Sequence, residues 1–155
     1  MNITETETGI KKGARISAVE EKERRLLTRK RFAFNWKMFG SSDKLFKLQI
    51  EDNEDILGVM NYIEMSDEKR IEIKLLACAS ENVGASKKYD GITGCLIAFA
   101  CRSAKAAYGD LACVSLVPKT VLREHYINKY HMLDGGWQLY LEGAQMISLI
   151  NEYLL

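Results

Sequence analysis

Chemistry in this chain is concentrated in Lys88-Tyr89-Asp90-Gly91-Ile92-Thr93-Gly94-Cys95-Leu96-Ile97-Ala98-Phe99-Ala100, which carries no charge from Gly91 until Arg102. It follows a strand-like run, Arg70-Ile71-Glu72-Ile73-Lys74-Leu75-Leu76-Ala77, and opens a helix that is apolar nearly all round. A strand, a glycine-bearing turn and a buried helix can hold a phosphate. Glycine lets the backbone come close, and free N–H groups at the helix start point at the anion. A plain strand-to-helix connection looks the same, because short glycine motifs recur by chance. The chain has no nucleophile-elbow serine pattern and no paired His–Glu metal motif.

The chain before this stretch has to supply a sheet. Residues 1–13 are polar, with Ile3 and Ile10 as the large apolar side chains after the start, and read as a frayed end or a short edge strand. Ser17-Ala18-Val19-Glu20 has the form of a capping box and predicts a helix to about Arg31. Val19, Leu26 and Leu27 give that helix a thin apolar stripe. Its basic half, Arg24, Arg25, Arg29, Lys30 and Arg31, suits a nucleic acid or a phosphate-bearing ligand. A solvated face with Glu20–Arg24 and Glu21–Arg25 pairs is the favoured reading. Phe32, Phe34 and Trp36 alternate as a strand would and join Phe39 in an aromatic cluster. Residues 40–43 read as a turn. Residues 46–50, residues 56–65 and the run from Arg70 are three strands with short connections, an antiparallel meander.

After the central helix, Gly109 and Asp110 mark a turn and residues 111–117 a buried strand. Its connection passes through the helix, so it should lie parallel to the strand from Arg70, with a right-handed crossover. Pro118 ends it, and Thr120 is placed to cap a helix from Val121 to about Tyr130. Asp134-Gly135-Gly136 is a tight turn before a strand at 137–141. Gly143 then precedes a last helix, with Met146, Ile147, Ile150, Tyr153 and Leu154 on one face.

At 155 residues the chain is expected to be one domain, 1–155. It is 47% hydrophobic and 28% charged, enough to bury a core, and its net charge of +1 argues for neither a nucleic-acid partner nor an acidic substrate. Cys78, Cys95, Cys101 and Cys113 lack metal-knuckle spacing and sit in apolar runs, so they read as reduced core residues. Met1 leads into polar residues, and no stretch approaches the about 20 apolar residues of a membrane span. The expected location is the cytoplasm, with no membrane partner.

Helix, three-strand meander, glycine turn, helix, strand, helix, strand is an order that resembles the GNAT superfamily of acyl-CoA-dependent N-acetyltransferases, over residues 46–140. The family's pyrophosphate loop is Arg or Gln, two residues, Gly, one residue, then Gly or Ala, and a helix. Lys88, Gly91 and Thr93 stand at its three positions, Thr93 replacing the small residue, with Gly94 one place late and Leu96-Ile97 at the aliphatic pair. A second family pattern, a tyrosine before a Lys-rich turn and Gly-Phe, is matched by Tyr126-Ile127-Asn128-Lys129-Tyr130-His131-Met132, with His131 and Met132 replacing Gly-Phe. Three further departures are visible. Lys119 stands where many members carry asparagine, the part before Phe46 is shorter than the family's, and a helix replaces the last strand. The resemblance implies an α+β (α/β) fold: a GNAT-like mixed sheet, an antiparallel meander plus a parallel splayed pair, flanked by helices.

It also implies partners and roles. Acetyl-CoA and an amine of a small molecule or peptide are the expected partners, with a homodimer as an option. The pantetheine arm should pair with the strand edge at about 79–83, which includes Asn82 and Val83. The pyrophosphate should sit on the N–H groups of Tyr89 to Gly94, among them Gly91, Ile92 and Thr93, with Lys88 as counter-charge. Acetyl transfer needs a deprotonated amine, a stabilised oxyanion and a protonated leaving thiolate. Tyr126 matches the family tyrosine that can protonate the sulfur; simple packing against Leu122 is the competing role. Glu72, facing away from Ile71 and Ile73, and Glu81 are the carboxylates placed to take the amine proton. His125 neighbours Tyr126 but points about 100° away around the helix. The implied function is an acetyl-CoA-dependent N-acetyltransferase. The alternatives are a non-catalytic GNAT-like domain that binds a protein or nucleic acid, and a nucleotide-binding module of another fold. Acceptor choice should lie in the loops at 32–40 and 134–137.

Overall fold

The computed structural model describes residues 1–155 except Ser41. They form two compact units: Met1–Asn61 with Leu75–Leu96, and Tyr62–Lys74 with Ile97–Leu155.

In the first unit the chain start is a strand. β1 (Asn2–Glu5) and β2 (Lys11–Ala18) form a hairpin with Ile3 opposite Lys12. Ile3 is buried, which gives this polar segment its one strong anchor. β2 continues antiparallel to β3 (Leu45–Ile50), from Ala14↔Ile50 to Ala18↔Phe46. β3 pairs antiparallel with β4 (Ile56–Met65), with an irregularity between Leu48 and Gln49. On the other side β1 takes β6 (Tyr89–Asp90), again antiparallel. The order in this unit is β6-β1-β2-β3-β4.

The helix expected from Ser17 to Arg31 does not form. Ser17 and Ala18 close β2, and the cap lies three residues later, where Glu20 N–H donates to Glu23 Oε1 at 2.8 Å. A 3-10 turn at Glu21–Leu26 follows, then the short α1 (Arg29–Phe32), whose Arg31 N–H donates to the Thr28 hydroxyl. The physical reason is burial. Three apolar residues cannot cover the face of a long helix, whereas the turn lets Val19 and Leu27 reach a core with Phe32, Trp36, Leu45, Ile56 and Val59. The alternation at Phe32, Phe34 and Trp36 is likewise not a strand. Ala33 has φ +69°, and Trp36 opens a 3-10 turn, Trp36–Met38. Trp36 Nε1–H donates to Phe32 O at 3.0 Å, and the Phe34 and Phe39 rings lie 6.2 and 5.8 Å from the Trp36 ring. Of the basic residues, Arg25, Arg29 and Lys30 are exposed, as a solvated face requires, while Arg24 donates to Phe39 O and pairs with Glu21, and Arg31 pairs with Glu81. At the turn expected over 40–43, Gly40 N–H donates to Asp43 Oδ2 at 2.6 Å; Ser41 lies outside the described residues.

One ion pair ties this covering segment to the sheet. Lys47 on β3 donates to both carboxylate oxygens of Glu23, with side chains 8% and 12% exposed. Burial pushes the Glu23 carboxyl up, but the Lys47 hydrogen bond and charge prevail and hold it below the usual glutamate range. A carboxyl with a depressed folded value contributes stability that is present above its unfolded value, about 4.3, and is lost as pH falls through the folded one. Lys47→Met should cost roughly 3–5 kcal/mol by stranding the buried carboxylate. Lys47→Met with Glu23→Leu should recover most of that loss in urea melts. A single mutant as stable as the parent at pH 7 would show the pair to be idle.

β5 (Arg70–Cys78) has its first half in the second unit, where it runs parallel to β7 (Cys113–Leu116), as the crossover requires, from Arg70↔Cys113 to Ile73↔Leu116. β8 (Leu133–Asp134) and β9 (Leu139–Glu142) complete the order β5-β7-β9-β8, antiparallel at each later step. The sheet is thus mixed. α2 (Ile92–Tyr108) starts in the first unit and ends in the second. Thr120 caps no helix. It opens a 3-10 turn, Thr120–Leu122, and Leu122 stands at the cap of α3 (Arg123–Tyr130). In α4 (Gly143–Leu154) Met146, Leu149 and Leu154 are buried, while Ile147 is exposed, one helical step off the inward face. The four cysteines are free thiols. Burial pushes Cys95 up to about 11 and Cys101 up to about 12, which leaves them poor nucleophiles and metal ligands. Among the described residues no helix is long and apolar enough to cross a membrane.

Candidate functional site

The glycine turn lies in the first unit and is built from three pieces of chain. β5 ends at Cys78, and Ala79 N–H donates to Leu57 O at 2.8 Å. The expected extended edge at 79–83 is instead a 3-10 turn, Ser80–Asn82, closed by Asn82 N–H to Ala79 O at 2.8 Å. Val83 follows, exposed. Extended β5 backbone that outruns its parallel ladder lies earlier, because the ladder stops at Ile73 and the strand continues to Cys78.

The loop then closes on itself. Lys88 N–H donates to Glu81 O, and Tyr89 N–H donates to the Asn82 side-chain oxygen, both at 3.0 Å. Asn82 is 5% exposed, and among the described residues its Nδ2 is a buried donor without a hydrogen-bond partner. A buried amide left half-satisfied costs about 1–3 kcal/mol, so this atom is suited to an acceptor that the chain does not supply. Gly91 has φ +99°, a conformation that side-chain-bearing residues rarely take, and its N–H donates to Asp90 Oδ1 at 3.0 Å. The first bond inside α2 runs from Cys95 N–H to Gly91 O at 3.0 Å, so the N–H groups of Ile92, Thr93 and Gly94 precede the helical ladder. The N–H cradle is therefore narrower than the span from Tyr89 to Gly94, since Tyr89 and Gly91 already donate to side chains.

α2 is seated on β4 at Gly58. A Cβ there would come within 2.6 Å of Ile92 Cγ2 and 3.1 Å of Leu96 Cδ1. Thr93, at the family's small position, has its hydroxyl 3.3 Å from Cys78 Sγ. Lys88 is exposed, with its ammonium 5.6 Å from the Tyr89 ring centre, and Lys87 offsets the Asp90 carboxylate at 3.0 Å. A small cleft of about 60 Å³ is lined by Lys88, Tyr89, Glu81, Asp55 and Leu57.

Neither carboxylate proposed as base is bare. Burial pushes Glu81 up, but the 2.8 Å hydrogen bond from Arg31, with the charges of Arg31 and Lys88, holds it below the usual range. Glu72 belongs to the second unit and does face away from buried Ile71 and Ile73. Its oxygens meet Arg70 at 3.4 Å and Lys74 at 3.0 Å, and Arg70 also donates to Ser115 Oγ at 2.6 Å.

Tyr126, also in the second unit, is half-buried on α3. Its ring lies 5.7 Å from Tyr130, and Tyr130 in turn lies 6.3 Å from Tyr153 of α4. Leu122, the packing partner expected from the sequence, is 39% exposed. The His125 ring stands edge-on to both Tyr126 and Tyr130 at 6.0 Å, closer to the tyrosine than its helical direction suggests. Sequence reasoning missed two parts of the site: Asn82 acting through its side chain, and β1 beside the turn. The only prior signal for the second was Ile3, an isolated apolar residue in a polar segment.

No protein-family model and no curated protein matches this chain. Solved structures do. Mutant forms of the spermidine/spermine N-acetyltransferase SpeG from Vibrio cholerae superpose with a TM-score of 0.64 at 13% identity, over 87% of this chain and 96% of that one. Nourseothricin acetyltransferase gives 0.55 at 13% identity, over 83% and 96%. An IAA acetyltransferase from Bacillus cereus gives 0.54 at 17%, over 76% and 75%. With its mixed sheet, parallel β5–β7 pair and flanking helices, the chain has the GNAT fold of these neighbours.

Proposed function

We propose that this chain, acting as a single domain, is an N-acetyltransferase that takes its acetyl group from acetyl-CoA and passes it to an amine of a small molecule or peptide. The observation that carries the reading is the phosphate-ready turn: three N–H groups ahead of the α2 ladder, the partnerless Asn82 Nδ2, and Lys88 alongside. Bound acetyl-CoA supplies the activated thioester. Ile92, Thr93, Gly94 and Lys88 hold its pyrophosphate, and the extended β5 backbone up to Cys78 offers amide partners to its arm. Tyr126 keeps a proton at its phenol for the departing sulfur. Glu81 or Glu72 accepts the amine proton. The solved neighbours are acetyltransferases, one of them for spermidine and spermine, so polyamines head the list of acceptors to try. The reducing cytoplasm suits four free cysteines.

The ion-paired state of Glu72 and Glu81 favours a second reading, a GNAT domain that binds CoA or a protein partner without turnover. Two measurements separate the readings. Titration calorimetry with acetyl-CoA should give a dissociation constant in the range of about 1 μM to 1 mM usual for enzyme substrates. Thiol release over a panel of amines, spermidine included, should exceed the amine-free rate for at least one. No binding heat sinks the enzyme reading, and binding without release favours the second.

A further inference from the structure

The candidate phosphate turn is held from one side by a strand from the other end of its unit. β6 pairs with β1 through Thr4↔Asp90 and Glu5↔Tyr89, and Thr6 N–H donates to Lys88 O at 2.9 Å. A Cβ on Gly91 would stand 3.9 Å from Ile3 Cα, and the Cys95 thiol lies 3.7 Å from Asn2 O. The contacts with β1 thus run from Lys88 through the turn to the first helical bond. β1 itself is fixed by its ladder to β2 and by buried Ile3.

On its N-terminal side the turn is also tied by Lys88 N–H to Glu81 O and Tyr89 N–H to the Asn82 side-chain oxygen, but these partners belong to the same loop. Residues 83–86 are exposed, Gly84 has φ +85°, and β6 spans two residues. So short a strand does not persist without a partner. Its one strand partner is β1, the element outside the loop that fixes its direction.

We propose that β1 is a positioning element for the phosphate turn: by pairing with residues 88–90 and packing Ile3 under Gly91, it sets the aim of the first-turn N–H groups of α2 and hence the affinity for a pyrophosphate-bearing ligand. This rests on the CoA-binding reading above for its ligand, but the brace itself is testable without ligand.

Thr6→Pro removes the N–H that donates to Lys88 O, and Thr6→Ala keeps it. CoA is the binding probe, and amide hydrogen exchange at Tyr89 and Gly91 reads the turn directly. Thr6→Pro should weaken CoA about tenfold and speed exchange at both amides by a similar factor, with Thr6→Ala close to the parent. Parental affinity in Thr6→Pro, or unchanged exchange, overturns the proposal. Should Thr6→Pro fail to fold, exchange in the parent under increasing urea decides. The amides of Thr6, Tyr89 and Gly91 should open as one unit with one urea dependence. Tyr89 and Gly91 staying protected while Thr6 opens would overturn it. If the parent binds no CoA, the functional reading fails, and the exchange results alone judge the brace.

Discussion

Gly91→Glu should abolish measurable acetyl-CoA binding while the protein stays folded. Two effects add. A residue with a Cβ must hold φ near +99°, a strain of about 1–3 kcal/mol at such positions. The carboxylate then stands beside Asp90 at the turn, where a pyrophosphate would approach. Gly91→Ala separates the effects, since its Cβ would meet only Ile3, no closer than 3.9 Å, and it brings no charge. Calorimetry should show Ala weakened by about tenfold or more and Glu beyond detection, with thermal melts placing both variants at similar stability. A folded Glu variant with parental affinity would remove the turn from the site.

Tyr126→Phe should lower kcat by about 10²–10⁴-fold, the usual contribution of a positioned general acid, with acetyl-CoA affinity little changed. The substitution removes one hydroxyl and keeps the ring, so contacts with Tyr130 at 5.7 Å and His125 at 6.0 Å persist. Pre-steady-state thiol release is the measurement, made with whichever amine turns over. A loss confined to KM would mean that Tyr126 helps to seat the acceptor. No loss at all would return it to the aromatic cluster that ends at Tyr153 on α4.

Elements with a strong period were legible before any coordinates. β3, β4, β5, α2 and β7 fall within a few residues of their expected limits, and the parallel β5–β7 pair follows from the intervening helix. What failed was local chemistry that tertiary contacts override. Ser17 looked like a cap but its backbone pairs with Lys47, so β2 won the segment. Phe32, Phe34 and Trp36 alternate, yet Trp36 Nε1 closes onto Phe32 O and curls the chain. Thr120 had the right side chain for a cap, one turn too early. In the candidate site, Gly91, Thr93 and Lys88 were singled out by their motif spacing. The partnerless Asn82 Nδ2 was not, because it depends on Tyr89 N–H having taken the oxygen of the same amide. The carboxylates could be picked out, but their cations could not: Arg31 reaches Glu81 across 50 residues of sequence.

The pairing of residues 4 and 90 also has a consequence for the order of assembly. On a growing chain β1 and β2 can zip at once, but the outer edge of β1 has no partner until residue 90 has been made. At about 5–20 residues per second that is an interval on the order of ten seconds. Such a non-local contact carries its loop-closure cost before it gives anything back, so it forms late. Until then β1 offers an open strand edge, partly guarded by the charge of Glu5 and Glu7. On the proposed reading, a phosphate-bearing ligand would be held more tightly by chains that have made that closing contact, so its capture would report closure of the first unit.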